Sequence, residues 1–271
     1  MQKSIVVLQK ETYCYSKEES EKKVDMVVSQ VTVTGMVLTA MPIGEYDKRL
    51  VILTKERGKI TAFAKGARRQ NSALLACSQP FTFGEFTVYE GKSSYNMVAA
   101  NVHNYFVELR EDLERIYYGF YFCEFCEYFT KENMDGTDVL KLLYQSLRAL
   151  TRKTIPLELI RYVFELKLMT INGEAPQVFE CVKCKTEDAY YFSSISGGLV
   201  CDTCRRTCSD IIRVSGSTIY TMQYIVTSSI EKLYTFTVAD EVLKELRNCI
   251  KRYIKCYVDK EFKSLEVLEK L

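Results

Sequence analysis

The stretch Lys48-Arg-Leu-Val-Ile-Leu-Thr-Lys-Glu-Arg-Gly-Lys-Ile-Thr-Ala-Phe-Ala-Lys65 decides the fold of the first half of the chain. Lys48–Thr54 is rich in branched apolar residues, and Lys59–Lys65 nearly alternates apolar with polar, so both read as strands. Lys55-Glu-Arg-Gly58 joins them as a hairpin connection. Upstream, Val31–Ala40 is another β-branched run, with Gly35 as a bulge or coil point and Pro42-Ile-Gly44 as a turn. Downstream, Gly66–Ser72 is a polar, basic loop. Phe81–Glu90 alternates again, and Gly91-Lys92 turns it into Tyr95–His103. Five antiparallel strands within residues 30–104 suit a small closed barrel, and the oligonucleotide-binding (OB) fold is the leading architecture.

Charge gathers in this segment. The whole chain carries 37 basic and 35 acidic residues, so affinity for a polyanion must come from local clustering. Lys48, Arg49, Lys55, Arg57, Lys59, Lys65, Arg68 and Arg69 are concentrated here, with Glu56 the only acid between them. Cations that neutralise phosphates beside aromatics that stack on bases are how single strands are held. Phe63, Phe81, Phe83, Phe86 and Tyr89 lie on the neighbouring strands. The competing reading makes the basic run a solvated face and most of these rings core.

After Val102 the period changes to that of helices. Apolar residues recur at Phe106, Leu109, Leu113, Ile116, Tyr117 and Phe120, which predicts a helix over Tyr105–Lys131. Its Cys123-Glu-Phe-Cys126 lies in an aromatic run without a second pair and reads as a core face. Thr137 or Asp138 is a plausible N-cap for a helix over Val139–Thr151, and Pro156 opens a third over Leu157–Asn172. Two more are expected over Ser217–Leu233 and Val238–Val258. The last carries Lys244, Arg247, Lys251, Arg252 and Lys255 on its polar face.

Between these helices sits Cys181-Val-Lys-Cys184 … Cys201-Asp-Thr-Cys204. Two such knuckles facing each other supply four soft ligands to a tetrahedral structural Zn2+. Two disulfides or four free thiols are the alternatives; Cys208 reads as a bystander. A catalytic zinc is disfavoured because four cysteines fill the shell. The organisation expected is an extension over 1–29, disordered or tag-like or lying upstream of a start at Met26, a barrel over 30–104, helices over 105–176 and 210–271, and a zinc-finger insertion over 177–209.

Other classes are disfavoured. The single histidine, His103, excludes most histidine-based catalysis, and no G-x4-G-K-[ST] loop or paired carboxylate motif occurs. No leading signal peptide and no run of eighteen apolar residues is present, so the eleven cysteines read as cytosolic thiols and metal ligands, and no membrane is expected.

In order, Thr34-Gly-Met-Val-Leu38, Gly44-Glu-Tyr-Asp-Lys-Arg-Leu50, Thr54-Lys-Glu-Arg-Gly-Lys59, Ala64-Lys-Gly-Ala-Arg-Arg69 with Ser72, and Cys181–Cys204 with Tyr191-Phe192 and Gly197-Gly198 closely resemble the bacterial DNA repair protein RecO family, over about Val31 to Leu271. The resemblance implies an OB barrel, a helical domain and a zinc segment. It implies a non-enzymatic recombination mediator, cytoplasmic and nucleoid-associated, that binds single- and double-stranded DNA and anneals complementary strands. Its implied partners are RecR, RecF, the acidic tail of single-strand-binding protein and, indirectly, the recombinase RecA. It carries phosphate contact to Lys65, Arg68 and Arg69, then to Lys48 and Arg49; Arg57 and Lys59 join them from the charge cluster. A tail-binding role falls to Arg247, Lys251, Arg252 and Lys255. The rival reading is a zinc-stapled protein-interaction scaffold without DNA contact. Two departures stand out: Ala73 follows Ser72 where many members have arginine, and Lys185 follows the second knuckle cysteine where glycine is common. That turn must then find its left-handed residue elsewhere.

Overall fold

The computed structural model describes residues 29–271; the extension expected over 1–29 lies outside them except for Ser29. Five strands come first: β1 Gln30–Ile43, β2 Asp47–Thr54, β3 Gly58–Ala64, then a single-turn helix α1 Leu74–Cys77, β4 Phe83–Glu90 and β5 Tyr95–Asn104. They hydrogen-bond in the order β1-β2-β3-β5-β4, and β4 returns to β1.

The expected fold class needs correction here. The sheet is mixed, not the antiparallel OB barrel read from the sequence: Ala62–Ala64 run parallel to Tyr95–Met97. The reason is parity. Five strands arranged in a ring cannot alternate direction at every step, so one pair must run parallel. The chain leaves β3 through the 65–82 segment, pairs β4 with β1, and brings β5 back beside β3. Gly35 is not the bulge: the register slips between Val37 and Thr39, and Gly35 is where β1 presses on the Leu53 carbonyl.

Alternation then sorts the side chains. Val33, Val37, Leu50, Ile52, Ile60, Ala62, Phe86 and Val88 fill the inside of the sheet. The same alternation puts Met36 and Leu38 on the other face, where with Val51 and Leu53 they join a core shared with the helices. Those helices are α2 Leu113–Phe129, α3 Thr137–Thr151, α4 Leu157–Ile171, α5 Gly216–Thr227, α6 Asp240–Tyr257 and α7 Lys263–Leu268. The helix expected from Tyr105 begins later, because Asp112 accepts from the amides of Glu114 and Arg115 and so caps it. α7 was not expected.

The sheet is locked to the helices by backbone contacts. The amide of Lys59 donates to the Lys131 carbonyl, that of Asn133 to Arg57, and that of Gly136 to Lys55. A Cβ on Gly58 would lie 2.2 Å from the Lys131 carbonyl oxygen, and one on Gly136 would lie 2.1 Å from that of Thr54. Only glycine lets these segments approach so closely. The segment that carries the two cysteine pairs is also packed into the helical side. Its sheet pairs β6 Tyr191–Ser193 with both β7 Gly198–Val200 and β8 Ile211–Arg213, so one strand lies past residue 209. Val178, Phe192, Leu199 and Val200 belong to the helical core.

Candidate nucleic-acid interface and metal centre

The loop after β3 and the β1–β2 turn form one surface. The Gly66 amide donates to Asp47 Oδ1 at 2.7 Å, and the Arg68 amide donates to the Tyr46 carbonyl at 2.8 Å. The Arg69 guanidinium lies 5.0 Å from the centre of the Tyr46 ring, and Arg68 Nη1 donates to the Gly44 carbonyl at 3.3 Å. Both arginines are exposed, and neither has a carboxylate partner among the described residues. Arg49 and Lys65 are exposed and unpaired there too. The register places Met41, Arg49, Phe63, Asn96 and Tyr89 in one lateral row.

The other three expected phosphate contacts are engaged elsewhere. Lys48 is 8% exposed, and its ammonium donates to the carbonyl and hydroxyl oxygens of Ser78. Burial, with the charge of Arg68 adding to it, lowers its pKa, despite an opposing effect of Cys77. It points inward because it sits one residue out of phase with Arg49 on a strand of period two. Lys59 donates to the Glu127 carbonyl at 2.6 Å. Arg57 Nη1 donates to the Tyr95 hydroxyl at 3.0 Å and pairs with Glu90; these hydrogen bonds raise its pKa. These three cations join sheet and helices or brace the sheet itself.

The basic face of α6 is wired differently. Arg247 is paired with Glu158, and Lys251 with Glu269 at 3.1 Å. Arg252 and Lys255 remain exposed. Lys251 and Lys255 rim a cavity of about 1060 Å3 whose wall includes Arg161 and Phe262. Arg161, 6% exposed, was hidden in the apolar stripe of its predicted helix. Its Nε donates to Glu165 Oε1 at 2.7 Å, and the Tyr121 hydroxyl donates to the same oxygen. The signal was there: Glu165 lies four residues on, one helical turn away.

Cys181, Cys184, Cys201 and Cys204 come together, with all four sulfurs within 4.8 Å of one another and Cys184 Sγ 3.6 Å from Cys201 Sγ. Zn–S bonds of about 2.3 Å in a tetrahedron imply sulfur separations of about 3.8 Å, so the cluster fits a metal of that kind. Burial raises the Cys181 thiol, but amides of Cys184, Cys201 and Lys183 outweigh it and bring its pKa to about 6. Hydrogen bonds to neighbouring sulfurs push Cys204 up to about 12. A cation among the sulfurs would favour the thiolates together. Lys185 takes the left-handed position itself, at φ +65°. Cys208 Sγ lies 3.4 Å from the Ser196 hydroxyl, outside the four-sulfur set. Cys123 and Cys126 are buried, and burial raises both thiols strongly, as a core face requires.

Residues 26–106 match the family model described as Recombination protein O N terminal, and residues 110–266 match Recombination protein O C terminal. Curated relatives include the DNA repair protein RecO of Alkaliphilus metalliredigens, 36% identical over 88% of this chain and 98% of its own length. That of Acetivibrio thermocellus is 33% identical over 88% of this chain and 96% of its own. That of Caldicellulosiruptor bescii is 32% identical, over 86% and 95%. Among the described residues, no helix is long and apolar enough to cross a membrane.

Proposed function

Because the chain belongs to the RecO family of DNA repair proteins, whose members are non-catalytic mediators, we propose that it mediates recombinational repair by binding DNA with the cationic end of its first sheet. The observation that carries this reading is the group of exposed cations without carboxylate partners: Arg49, Lys65, Arg68 and Arg69 around the 44–46 turn and the 66–72 loop. Lys48, Arg57 and Lys59 are left out of the interface because their charges are engaged within the fold.

Annealing two complementary strands is a search between polyanions that repel each other. A cationic surface lowers that repulsion and raises the effective concentration of one strand near the other. Single and double strands share the phosphates such a surface binds, so both are substrates. The metal is a structural Zn2+ held by Cys181, Cys184, Cys201 and Cys204; bound there, it ties together the two turns of the zinc segment. That segment packs into the helical core, so the metal stabilises the helices around α6.

The expected partners are RecR, RecF, RecA indirectly, and the acidic tail of single-strand-binding protein, at the nucleoid in the cytoplasm. For the tail, Arg252 and Lys255 are the exposed cations of α6 without a carboxylate partner among the described residues, and Lys255 rims the 1060 Å3 cavity beside apolar Phe262. Arg247 and Lys251 are the weaker candidates of the group because Glu158 and Glu269 already pair with them.

A salt series tests the reading. Affinity for an unstructured single strand should fall steeply as salt rises, with a log–log slope of about −0.7 for each phosphate neutralised. An absence of DNA binding at every salt concentration would leave the protein-scaffold alternative.

A further inference from the structure

We propose that the hollow beside β3 and β5 is a nucleobase subsite, in which Tyr89 stacks on a base, Asn96 hydrogen-bonds the base edge and Lys65 holds the adjoining phosphate. The inference rests on the DNA-binding reading above and extends it from phosphate to base.

The hollow encloses about 590 Å3 and is lined by Lys65, Leu74, Tyr89, Asn96, Met97 and Val98. Its position follows from the sheet. The parallel contact between β3 and β5 spans only three residue pairs, Ala62–Ala64 against Tyr95–Met97. Beyond Ala64 the chain leaves the sheet, and α1 packs against β5, with its Leu74 lining the hollow. Asn96 opposes Phe63 on one side and Tyr89 on the other, so the three share one outward face. That face continues through Phe63 to Arg49. The hollow therefore lies at the end of the lateral row that contains the exposed Arg49.

Its chemistry is specific to a flat, edge-polar ligand joined to an anion. Tyr89 and Asn96 are half-buried, and Lys65 is exposed. None of the three polar ends has a hydrogen-bond or ion-pair partner among the described residues, although other polar side chains of this sheet, such as Lys48, Arg57 and Lys59, do. Leu74, Met97 and Val98 give the hollow an apolar wall, and Val98 is 45% exposed. An aromatic ring and an apolar wall suit the faces of a base. A side-chain amide both donates and accepts, so Asn96 can satisfy the edge of any base. An ammonium suits the phosphate. Stacking tolerates every base because each has a π-face. The subsite thus favours unpaired nucleotides, whose bases are free to enter it, over duplex, whose bases are stacked and paired.

The test compares two fluorescein-labelled strands of equal length and charge, one of mixed sequence and one fully abasic, at a single intermediate salt concentration. The intact protein should bind the strand with bases roughly ten-fold more tightly. Tyr89→Leu and Asn96→Ala should each bring the two affinities together, leaving abasic binding and the salt slope unchanged. Tyr89→Phe should keep the preference, which separates stacking from a folding defect. Lys65→Gln should weaken both strands alike. Equal affinity of the wild type for the two strands overturns the inference alone, as does a preference that survives both Tyr89→Leu and Asn96→Ala. Binding to neither strand overturns the DNA-binding reading and the inference with it.

Discussion

Two stretches of this chain look alike on paper and differ in space. Residues 48–69 carry eight basic side chains, and the polar face of α6 carries five between Lys244 and Lys255. On the sheet, the fold engages Lys48, Arg57 and Lys59 and leaves Arg49, Lys65, Arg68 and Arg69 exposed around one loop and one turn. On α6, carboxylates from α4 and the C-terminal segment pair with Arg247 and Lys251. Charge in a sequence is therefore not charge available to a partner. Which carboxylates and carbonyls the fold brings nearby decides that. An exposed ion pair adds little stability, but it lowers the field its cation presents to solvent.

The largest expected effect would separate the two stretches physically. Stripping the metal with a strong chelator, or making Cys181→Ser or Cys201→Ser, should remove one equivalent of bound zinc and up to about 10 kcal/mol of local stabilisation. Metal analysis and thiol accessibility at residues 181–204 would record it. The helical side around α6 should loosen, while the sheet, with its own buried interior, keeps its single-strand affinity. A wild type that is folded and free of metal would break that distinction.

Arg161 is a cation of a third kind, neither exposed nor paired at a surface. Arg161→Ala leaves Glu165 buried at 0% exposure without its partner, so unfolding should be easier by about 3–5 kcal/mol. Denaturant titration measures it. A loss below about 1 kcal/mol would mean that Glu165 is accommodated without the guanidinium.

Acid should weaken the helical side at the start of α5. Glu245 accepts from the Ser215 amide and hydroxyl at 2.8 Å each and from the Thr218 hydroxyl at 2.6 Å, at the start of α5. Burial tends to raise its pKa, but the hydrogen bonds outweigh this and hold it below the usual glutamate value. Its contribution is therefore complete above the ordinary glutamate range and is lost as pH falls through the depressed folded value. Glu245→Gln should cost about 1 kcal/mol at pH 7, with the difference from wild type shrinking towards pH 3. Urea midpoints at the two pH values check the sign.

The smallest effect is a gain. Lys185 holds a left-handed backbone that costs a residue with a side chain about 1 kcal/mol. Its exposed ion pair with Glu180 offers little in return. Lys185→Gly should raise the thermal midpoint by a few degrees without changing DNA binding. An unchanged or lower midpoint would show that the turn is relaxed with lysine in place.

Much of this was legible before the structure. β-branched runs and turn residues located five strands to within a few residues, because a half-buried strand needs that alternation. Two C-x2-C pairs located the four sulfurs that converge, and the aromatic surroundings of Cys123 and Cys126 marked those as core. What the sequence hid was relational. Strand direction around the ring depends on how many strands close it, which turned the expected antiparallel sheet into a mixed one. The inward turn of Lys48 depends on a one-residue phase, and the engagement of Lys59 on a helix carbonyl 68 residues away. The charge run was readable; the neighbours that occupy three of its members were not.

The central claim is that the free cations at the loop and turn of the first sheet grip nucleic acid. Equilibrium binding of an unstructured single strand across a salt series tests it most directly, comparing wild type with Arg68→Glu/Arg69→Glu and with Arg247→Glu. The account predicts that the double reversal on the loop lowers affinity at least ten-fold at low salt and flattens the log–log slope by about 1.4, two phosphates' worth, whereas Arg247→Glu changes neither. Equal slopes for wild type and the loop variant would contradict it.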